Sequence, residues 1–529
     1  MTLAIRAILS VLCTLCISEE VIGAKILAIV HIPSYSHQIP FRSLWIELHK
    51  RGHEVTLIAA DPTPNINSTT FRQIVVDEAY RLTRDFKYVN ARLENFTWLD
   101  IVKKYMVTTM KFVMSAIFNH PEVRQLYAPD SKEKFDVVLI EMYYGPALFA
   151  FGHRFNAPVI GLSPLGLLAF ENYAIGGVVF PSHESSWEME KSTGSNLSFW
   201  TRLTNFYTLW HFLYFMNRAL VPYNQNLAEK YMGKPMPPVM DLMKNVSLVF
   251  VEEDPVMSYA RPQLSNVITF HSIHVSQNVQ PLPTDLKKFV ESAKHGFIYF
   301  SLGTNARFDN VPDEIQRVFF DVFGKLPYKV IMKSDTHFKR IPENIYVGRW
   351  FSQQSILGQP NIKLYMYQGG LQSTQEAIHF GVPVLGFPIM ADQEYQLKII
   401  QSHGIGKRLP IEDLTRDDLE STIKEIITNK EYKENIIKLA RLVNDTPCNP
   451  IENLVWWTEY IIRHKGAPHL RTKLAWVPWY QHYDMDVFAF LVVTTFILFS
   501  IGLWISVKLL TLVYKIKDTT CTDQKKKRN

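Results

Sequence analysis

Chemistry that could hold a phosphate is concentrated between Arg349 and Gln393, in RWFSQQSILGQPNIKLYMYQGGLQSTQEAIHFGVPVLGFPIMADQ. There an apolar strand pattern ends at Tyr367, Gly369 and Gly370 make a turn, and Ser373 to Glu376 open a helical pattern. Glycines at such a turn let backbone N–H groups approach an anion, and the positive end of the following helix favours it. In the other half, His37 stands in SYSHQ, just after the apolar run AKILAIVHI, and a residue there faces the crevice of a parallel sheet. Imidazole titrates near ~6.5 in water, so it can take a proton from a hydroxyl group at neutral pH. Each residue alone has a plainer explanation: a histidine among 17 is usually structural, and paired glycines suit any strand-to-helix turn.

The elements that must position these residues alternate. AKILAIVHI reads as a buried strand bounded by the turn-like PSYSHQ; FRSLWIELHKRG as a helix with Gly52 at its C-cap; EVTLIA as the next strand. FDVVLIE (135–141) and APVIGLS repeat the unit. A second series opens at GFIYFSLGT (296–304) and continues through YKVIMKS, NIYVGRW, IKLYMYQ and PVLGFP. This is an α/β pattern of two Rossmann-like, doubly wound domains facing a cleft, as expected of 529 residues, too many for one ordinary core. The expected divisions are a signal segment at 1–23, a first domain at 24–274, a linker at 275–290 around QPLPT, a second domain at 291–446, C-terminal helices at 447–486, a membrane span at 487–507 and a tail at 508–529. Two aromatic, apolar stretches, WLDIVKKYMVTTMKFVMSAIF and FWTRLTNFYTLWHFLYFMNRALVPY, fit helices that cover the core, line a lipophilic pocket or touch a membrane surface.

The ends of the chain indicate location. Arg6 followed by AILSVLCTLCI resembles a secretory signal, cleaved near Ala24. Val487 to Val507 holds no charge and, as a helix, spans roughly 30 Å, the thickness of a hydrocarbon core. Basic residues follow it, so the tail is expected on the cytosolic side and the bulk in the lumen. The final KKKRN resembles a dilysine signal read by a retrieval coat, which places a single-pass type I protein in the endoplasmic reticulum membrane. The formal charge of +6 sits mostly in this tail, so nucleic acid is not an expected partner. Of four cysteines only Cys448 falls in the luminal part, which excludes an intrachain disulfide there. Sequons begin at Asn67, Asn95, Asn196, Asn245 and Asn444, the expected glycosylation sites of a luminal glycoprotein.

Taken together, the segment from Arg349 to Gln393 resembles the donor-binding signature of the family-1 UDP-glycosyltransferases, which include glucuronosyl- and glucosyltransferases. The similarity extends through WTEYIIRHKGAPHLR (457–471), WYQHYDMDV and the membrane span, and is strongest to the membrane-bound invertebrate branch. The resemblance implies a glycosyltransferase B-type fold and an inverting hexosyltransferase that moves a sugar, glucose rather than glucuronic acid, from a UDP-sugar to hydroxyl groups of small lipophilic acceptors, as in detoxification. It implies Trp350 stacked on uracil, Gln353 on the uracil edge or ribose, and Glu376 on the ribose hydroxyls. Gln368, Gly370, Gln372 and Ser373 would hold the diphosphate, with added contacts from Ser301, Thr304 and Arg261; Asp392 and Gln393 would grip the sugar. His37 takes the place of the family's general base, and Glu141 that of the carboxylate orienting it. No cofactor is implied beyond the co-substrate, no metal site has the spacing for zinc, and a homo- or hetero-oligomer is left open.

Several positions depart from the family's pattern. Glu141 replaces an Asp, Gln368 a His, Ser352 a Pro, and His271-Ser272 a Gly-Gly pair. They keep alive a second reading, a catalytically impaired member that binds UDP-sugar or small lipophiles without turnover. A third, an adhesion domain, conflicts with the paired α/β pattern and the missing disulfides.

Overall fold

The structure, a computed structural model, describes residues 23–526 apart from 84–85, 180–186, 193–195, 277, 337 and 339. The signal segment, save Gly23, and the tail from Lys527 onward lie outside the described residues.

Seven parallel strands form the first sheet: β1 (Lys25–Val30), β2 (Glu54–Ala59), β3 (Phe71–Val75), β4 (Val137–Glu141), β5 (Val159–Ser163), β6 (Leu248–Glu252) and β7 (Val267–Phe270), in the order β3-β2-β1-β4-β5-β6-β7. Six form the second: β8 (Phe297–Ser301), β9 (Lys329–Lys333), β10 (Ile345–Gly348), β11 (Ile362–Tyr367), β12 (Val384–Gly386) and β13 (Gly406–Arg408), in the order β10-β9-β8-β11-β12-β13. Central strands such as VVLIE and FIYFS are buried along their whole length, as parallel strands covered on both faces must be. Strand order reverses between β1 and β4 in one sheet and between β8 and β11 in the other. Such switch points open a crevice at the carboxyl ends of the strands. The sequence reading lacked β3, β6, β7 and β13. LVFVE in β6 is a short apolar run that periodicity does not separate from a buried helix, and β7 and β13 are shorter still.

Helix α1 (Tyr35–Lys50) begins earlier than expected. Ser34 takes the extended N-cap conformation, so PSYSHQ is not a turn: it carries the first helical turn, with His37 on it. Helix α2 (Tyr88–Leu93) and helix α3 (Val107–Asn119) follow β3, and the first aromatic stretch is a core element, with Met110, Val113, Met114 and Phe118 buried. The second forms α4 (Phe199–Ala219), which buries Leu209, Phe212, Leu213 and Met216 but leaves Trp200, Tyr207 and Tyr214 73%, 70% and 65% exposed. In the second half, α5 (Leu371–His379) follows β11 and α6 (Gln393–Ser402) follows β12. Helix α7 (Pro450–Arg463) then returns to the first half. Its Leu454, Val455 and Ile461 share a buried cluster with Phe41, Leu44, Trp45 and Leu48 of α1, and Arg51 pairs with Glu452 and Glu459.

Residues 473–529 form a separate unit. Its helix α8 (Met485–Lys526) contains a 33-residue stretch, Met485–Lys517, long and apolar enough to cross a membrane.

Candidate active site

Pairing of β1 with β4, Ile29 opposite Ile140, sets the loop after β1 beside the end of β4. Glu141 is therefore fully buried under the first turn of α1. Its Oε1 accepts from His37 Nδ1 at 2.5 Å and its Oε2 from the Ile32 backbone N–H at 2.8 Å. Since a carboxylate only accepts, the proton of the neutral His37 ring is fixed on Nδ1, and Nε2 keeps its lone pair. His31, buried behind them, donates from Nε2 to the Tyr143 carbonyl at 2.6 Å, with Nδ1 3.4 Å from Glu141 Oε2. Burial holds its pKa below the usual histidine value.

His37 borders two adjoining cavities. One, about 370 Å³, runs into the first half between Trp98, Met106, Met110, Tyr143, Tyr144 and Trp187, an aromatic chamber suited to an apolar guest. The other, about 550 Å³, lies over the carboxyl ends of β8 and β11. Thr304, Asn305, Lys333, Trp350 and Met390 border both, and the Asn305 amide donates to Ser34 Oγ at 2.9 Å across the divide.

Most residues singled out in the sequence meet in the second cavity: Ser301, Thr304, Trp350, Gln353, Gln368, Gly370, Gln372, Ser373, Glu376, Asp392 and Gln393 all line it. Gly370 caps α5, and Gly369 before it has φ 92°. A Cβ there would lie 2.8 Å from Leu397 Cγ and 3.2 Å from the Gln393 carbonyl, so the turn needs glycine. Trp350 is 58% exposed; Tyr35 meets its ring edge-on at 5.2 Å and Lys333 Nζ lies 4.7 Å from its centroid. Glu376 is buried and accepts from Gln353 at 2.5 Å and Gln354 at 2.8 Å, while burial raises its pKa. Asp392 Oδ2 is buried without a hydrogen-bond partner, and burial pushes this carboxyl up to about 7.

Some side chains are engaged differently from the expectation. Gln353 is also held by Ser373 and by the Tyr365 hydroxyl, and Gln372 donates across the cleft to Glu252 at 2.7 Å and the Pro164 carbonyl at 2.8 Å. Arg261 borders neither main cavity: its guanidinium donates to Glu253 at 2.6 Å and lines a small cavity that it shares with Leu371 and Asp392. Ser272, in place of a glycine, takes φ 57°, its N–H donating to Gln375 Oε1. Lys333 was missed; the signal was a lysine closing YKVIMK at the carboxyl end of a parallel strand. It donates to the Gly303 carbonyl at 2.9 Å, and burial lowers its pKa to about 8. Asn67, Asn95, Asn196 and Asn444 are exposed. Asn245 is exposed too, but its Oδ1 accepts from Arg471 and Ser247 of its sequon is buried. Among the described residues no cluster of His, Cys, Asp or Glu is placed to hold a metal ion.

The family model described as "UDP-glucoronosyl and UDP-glucosyl transferase" matches residues 24–524. UDP-glucosyltransferase 2 of Dactylopius coccus is 31% identical over 483 residues, covering 89% of this chain and 90% of the relative. UDP-glucuronosyltransferase 2B7 of Homo sapiens is 27% identical, covering 88% and 89%. Among solved structures, the glycotransferase of kitacinnamycin superposes with TM-score 0.57 at 16% identity over 83% of this chain and 99% of its own, and the calicheamicin glycosyltransferase CalG4 with TM-score 0.54 at 16% identity over 84% and 99%. At that identity they establish the fold alone, two facing parallel-sheet domains of the glycosyltransferase B type.

Proposed function

Since this chain belongs to the UDP-glucuronosyl and UDP-glucosyl transferase family, and is on that ground a glycosyltransferase, we propose that it moves glucose from UDP-glucose to a hydroxyl group of a small lipophilic acceptor, with His37 as general base. One observation carries the reading: His37, its imidazole fixed by Glu141 through Nδ1, borders both the aromatic chamber and the cleft lined by Trp350, Glu376 and Asp392. In this reading the first half binds the acceptor and the second the donor.

The acceptor hydroxyl gives its proton to His37 Nε2 as its oxygen attacks the anomeric carbon of the sugar. The bond from that carbon to the diphosphate oxygen breaks, and its electron pair leaves with UDP. Attack from the face opposite the leaving group turns an α-linked donor into a β-glycoside. Glu141 stabilises the imidazolium, and the α5 N-terminus behind Gly370, with Lys333, meets the charge growing on UDP. Trp350 offers its open ring face to uracil, Glu376 receives ribose hydroxyls, and Asp392 with Gln393 receives those of the sugar. Arg261 is paired with Glu253 and is given no step in this reading. Glu141 reaches His37 in spite of its extra methylene, which favours an active enzyme over an impaired one.

The apolar helix α8 supports a membrane anchor, with the body luminal and the basic tail returning the protein to the endoplasmic reticulum. The test is product formation: purified full-length protein, radiolabelled UDP-glucose and a panel of phenols. A β-glucoside supports the reading; intact UDP-glucose with every acceptor, while UDP still binds, overturns it. Protection from thermal unfolding by UDP-glucose more than by UDP-glucuronic acid supports the choice of sugar.

A further inference from the structure

A buried ion group crosses between the halves away from the residues used above. Arg92, on α2 of the first half, is 3% exposed. Its Nε donates to Glu412 Oε1 at 2.6 Å and its Nη2 to Glu394 Oε2 at 3.4 Å, both in the second half. Glu394 Oε1 is in turn paired with Arg408 Nε at 2.8 Å. The segment around Arg92 is seated in the second half by packing as well. Tyr88 and Val89 belong to a buried cluster otherwise made of residues from Ile298 to Ile426, and Phe86 and Leu93 pack against it.

Both ends of this connection lead to the reaction site. Tyr88 borders the aromatic chamber, so α2 is one of its walls. Glu394 stands on the first turn of α6, directly after Asp392 and Gln393. Gln393 Oε1 accepts from the Ile389 and Met390 backbone N–H groups, and Met390 borders both cavities. A guanidinium suits the place because its rigid planar fork presents N–H groups in fixed, separate directions to the two carboxylates, which the compact ammonium of lysine matches less well.

We propose that Arg92 is a positioning residue for transfer: by joining Glu412 and Glu394 it docks α2 as a strap closing the acceptor chamber and fixes the first turn of α6, so that enclosure of the acceptor and aim of the Asp392–Gln393 grip depend on one ion group. This rests on the glycosyl-transfer reading. Enclosure excludes water, which competes with the acceptor for the anomeric carbon. Misplacement of reacting groups by about 1 Å lowers rates ~10²-fold.

Full-length wild type, Arg92→Met, Arg92→Lys and Glu412→Gln are compared with UDP-glucose and 1-naphthol. Transfer, free glucose released by hydrolysis, UDP affinity by calorimetry and thermal unfolding are read for each. Arg92→Met is expected to lose ~10- to 100-fold in kcat/KM for 1-naphthol while UDP affinity stays within about twofold. A larger share of the UDP-glucose consumed then ends as free glucose. Arg92→Lys recovers part of the transfer. Glu412→Gln, at the edge of the group, shifts the same ratio to a smaller degree and serves should Arg92→Met fail to fold. Wild-type partition between transfer and hydrolysis in Glu412→Gln and in every folded Arg92 variant overturns the inference. So does a parallel fall of transfer, hydrolysis and UDP affinity tracking lost thermal stability, which marks Arg92 as only structural. A wild type that binds UDP but transfers nothing removes the glycosyl-transfer reading and this inference with it.

Discussion

Glu141 spans the gap between the backbone after β1 and the imidazole on α1, one oxygen on the Ile32 N–H and the other 2.5 Å from His37 Nδ1. Glu141→Gln keeps the shape but can neither accept the Nδ1 proton with full charge nor stabilise the imidazolium. Its kcat is expected to fall ~10²–10⁴-fold. Glu141→Asp keeps the charge but withdraws it from Nδ1, and about a tenfold loss is expected. Initial rates at saturating UDP-glucose check both; equal activity of the Gln variant and wild type would contradict the pairing.

In the proposed donor site uracil would stack on Trp350, whose ring is 58% exposed and has Lys333 4.7 Å from its centroid. Stacking of a base on an aromatic ring is worth about 1–3 kcal/mol, so Trp350→Ala should weaken UDP by roughly 5- to 150-fold in calorimetry. Lys333 titrates at about 8 because burial disfavours its charge. Diphosphate favours the charged form, so UDP affinity should fall as pH rises through about 8. Lys333→Met should bind more weakly below that pH and lose the dependence.

Buried carboxyls make stability fall with rising pH. Glu171 and Glu252 titrate at about 8 and Asp392 at about 7, each raised chiefly by burial. Their folded-state values exceed the unfolded ones, so the folded chain holds more protons above the ordinary carboxyl range and loses stability as pH increases. Buried His31 and His274 act in the opposite sense, but only below the ordinary histidine value of ~6.5. Between pH ~6.5 and ~7.5 the carboxyls dominate, since Lys333, whose lowered value of about 8 acts in the opposite sense, begins to titrate only above it, and Tm is expected to drop by several degrees. Glu252→Gln, which keeps a partner for Gln372, should flatten this slope in scanning calorimetry. A Tm rising across that window would contradict the protonated carboxyls.

The terminal lysines are proposed to return the protein to the endoplasmic reticulum. Removing the residues from Lys525 to Asn529 should let the protein leave the endoplasmic reticulum and acquire later glycan processing, read as resistance to endoglycosidase H. Unchanged sensitivity would exclude the terminal lysines as a retrieval signal.

How far the sequence reached follows from where information is local. Strand, glycine turn and helix occupy consecutive residues from Ile362 to His379, so that turn is legible in the sequence, and two α/β series imply two sheets with a crevice between them. His37 was placed by its position after β1, although its helix begins at Tyr35 rather than near Phe41. Side chains that answer to distant partners were not legible. Nothing near Gln372 announces Glu252, 120 residues away, and Lys333 reads as a solvated strand end until burial in the cleft is seen. Arg92 meets carboxylates more than 300 residues away, beyond any local pattern.

In the proposed transfer an imidazole of the first half acts on a nucleotide sugar held by the second. Comparing His37→Ala with wild type, by turnover of radiolabelled UDP-glucose with a phenol alongside UDP binding, tests it most directly. Turnover is expected to fall ~10²–10⁴-fold with UDP affinity near the wild-type value. Wild-type turnover in the variant would contradict it.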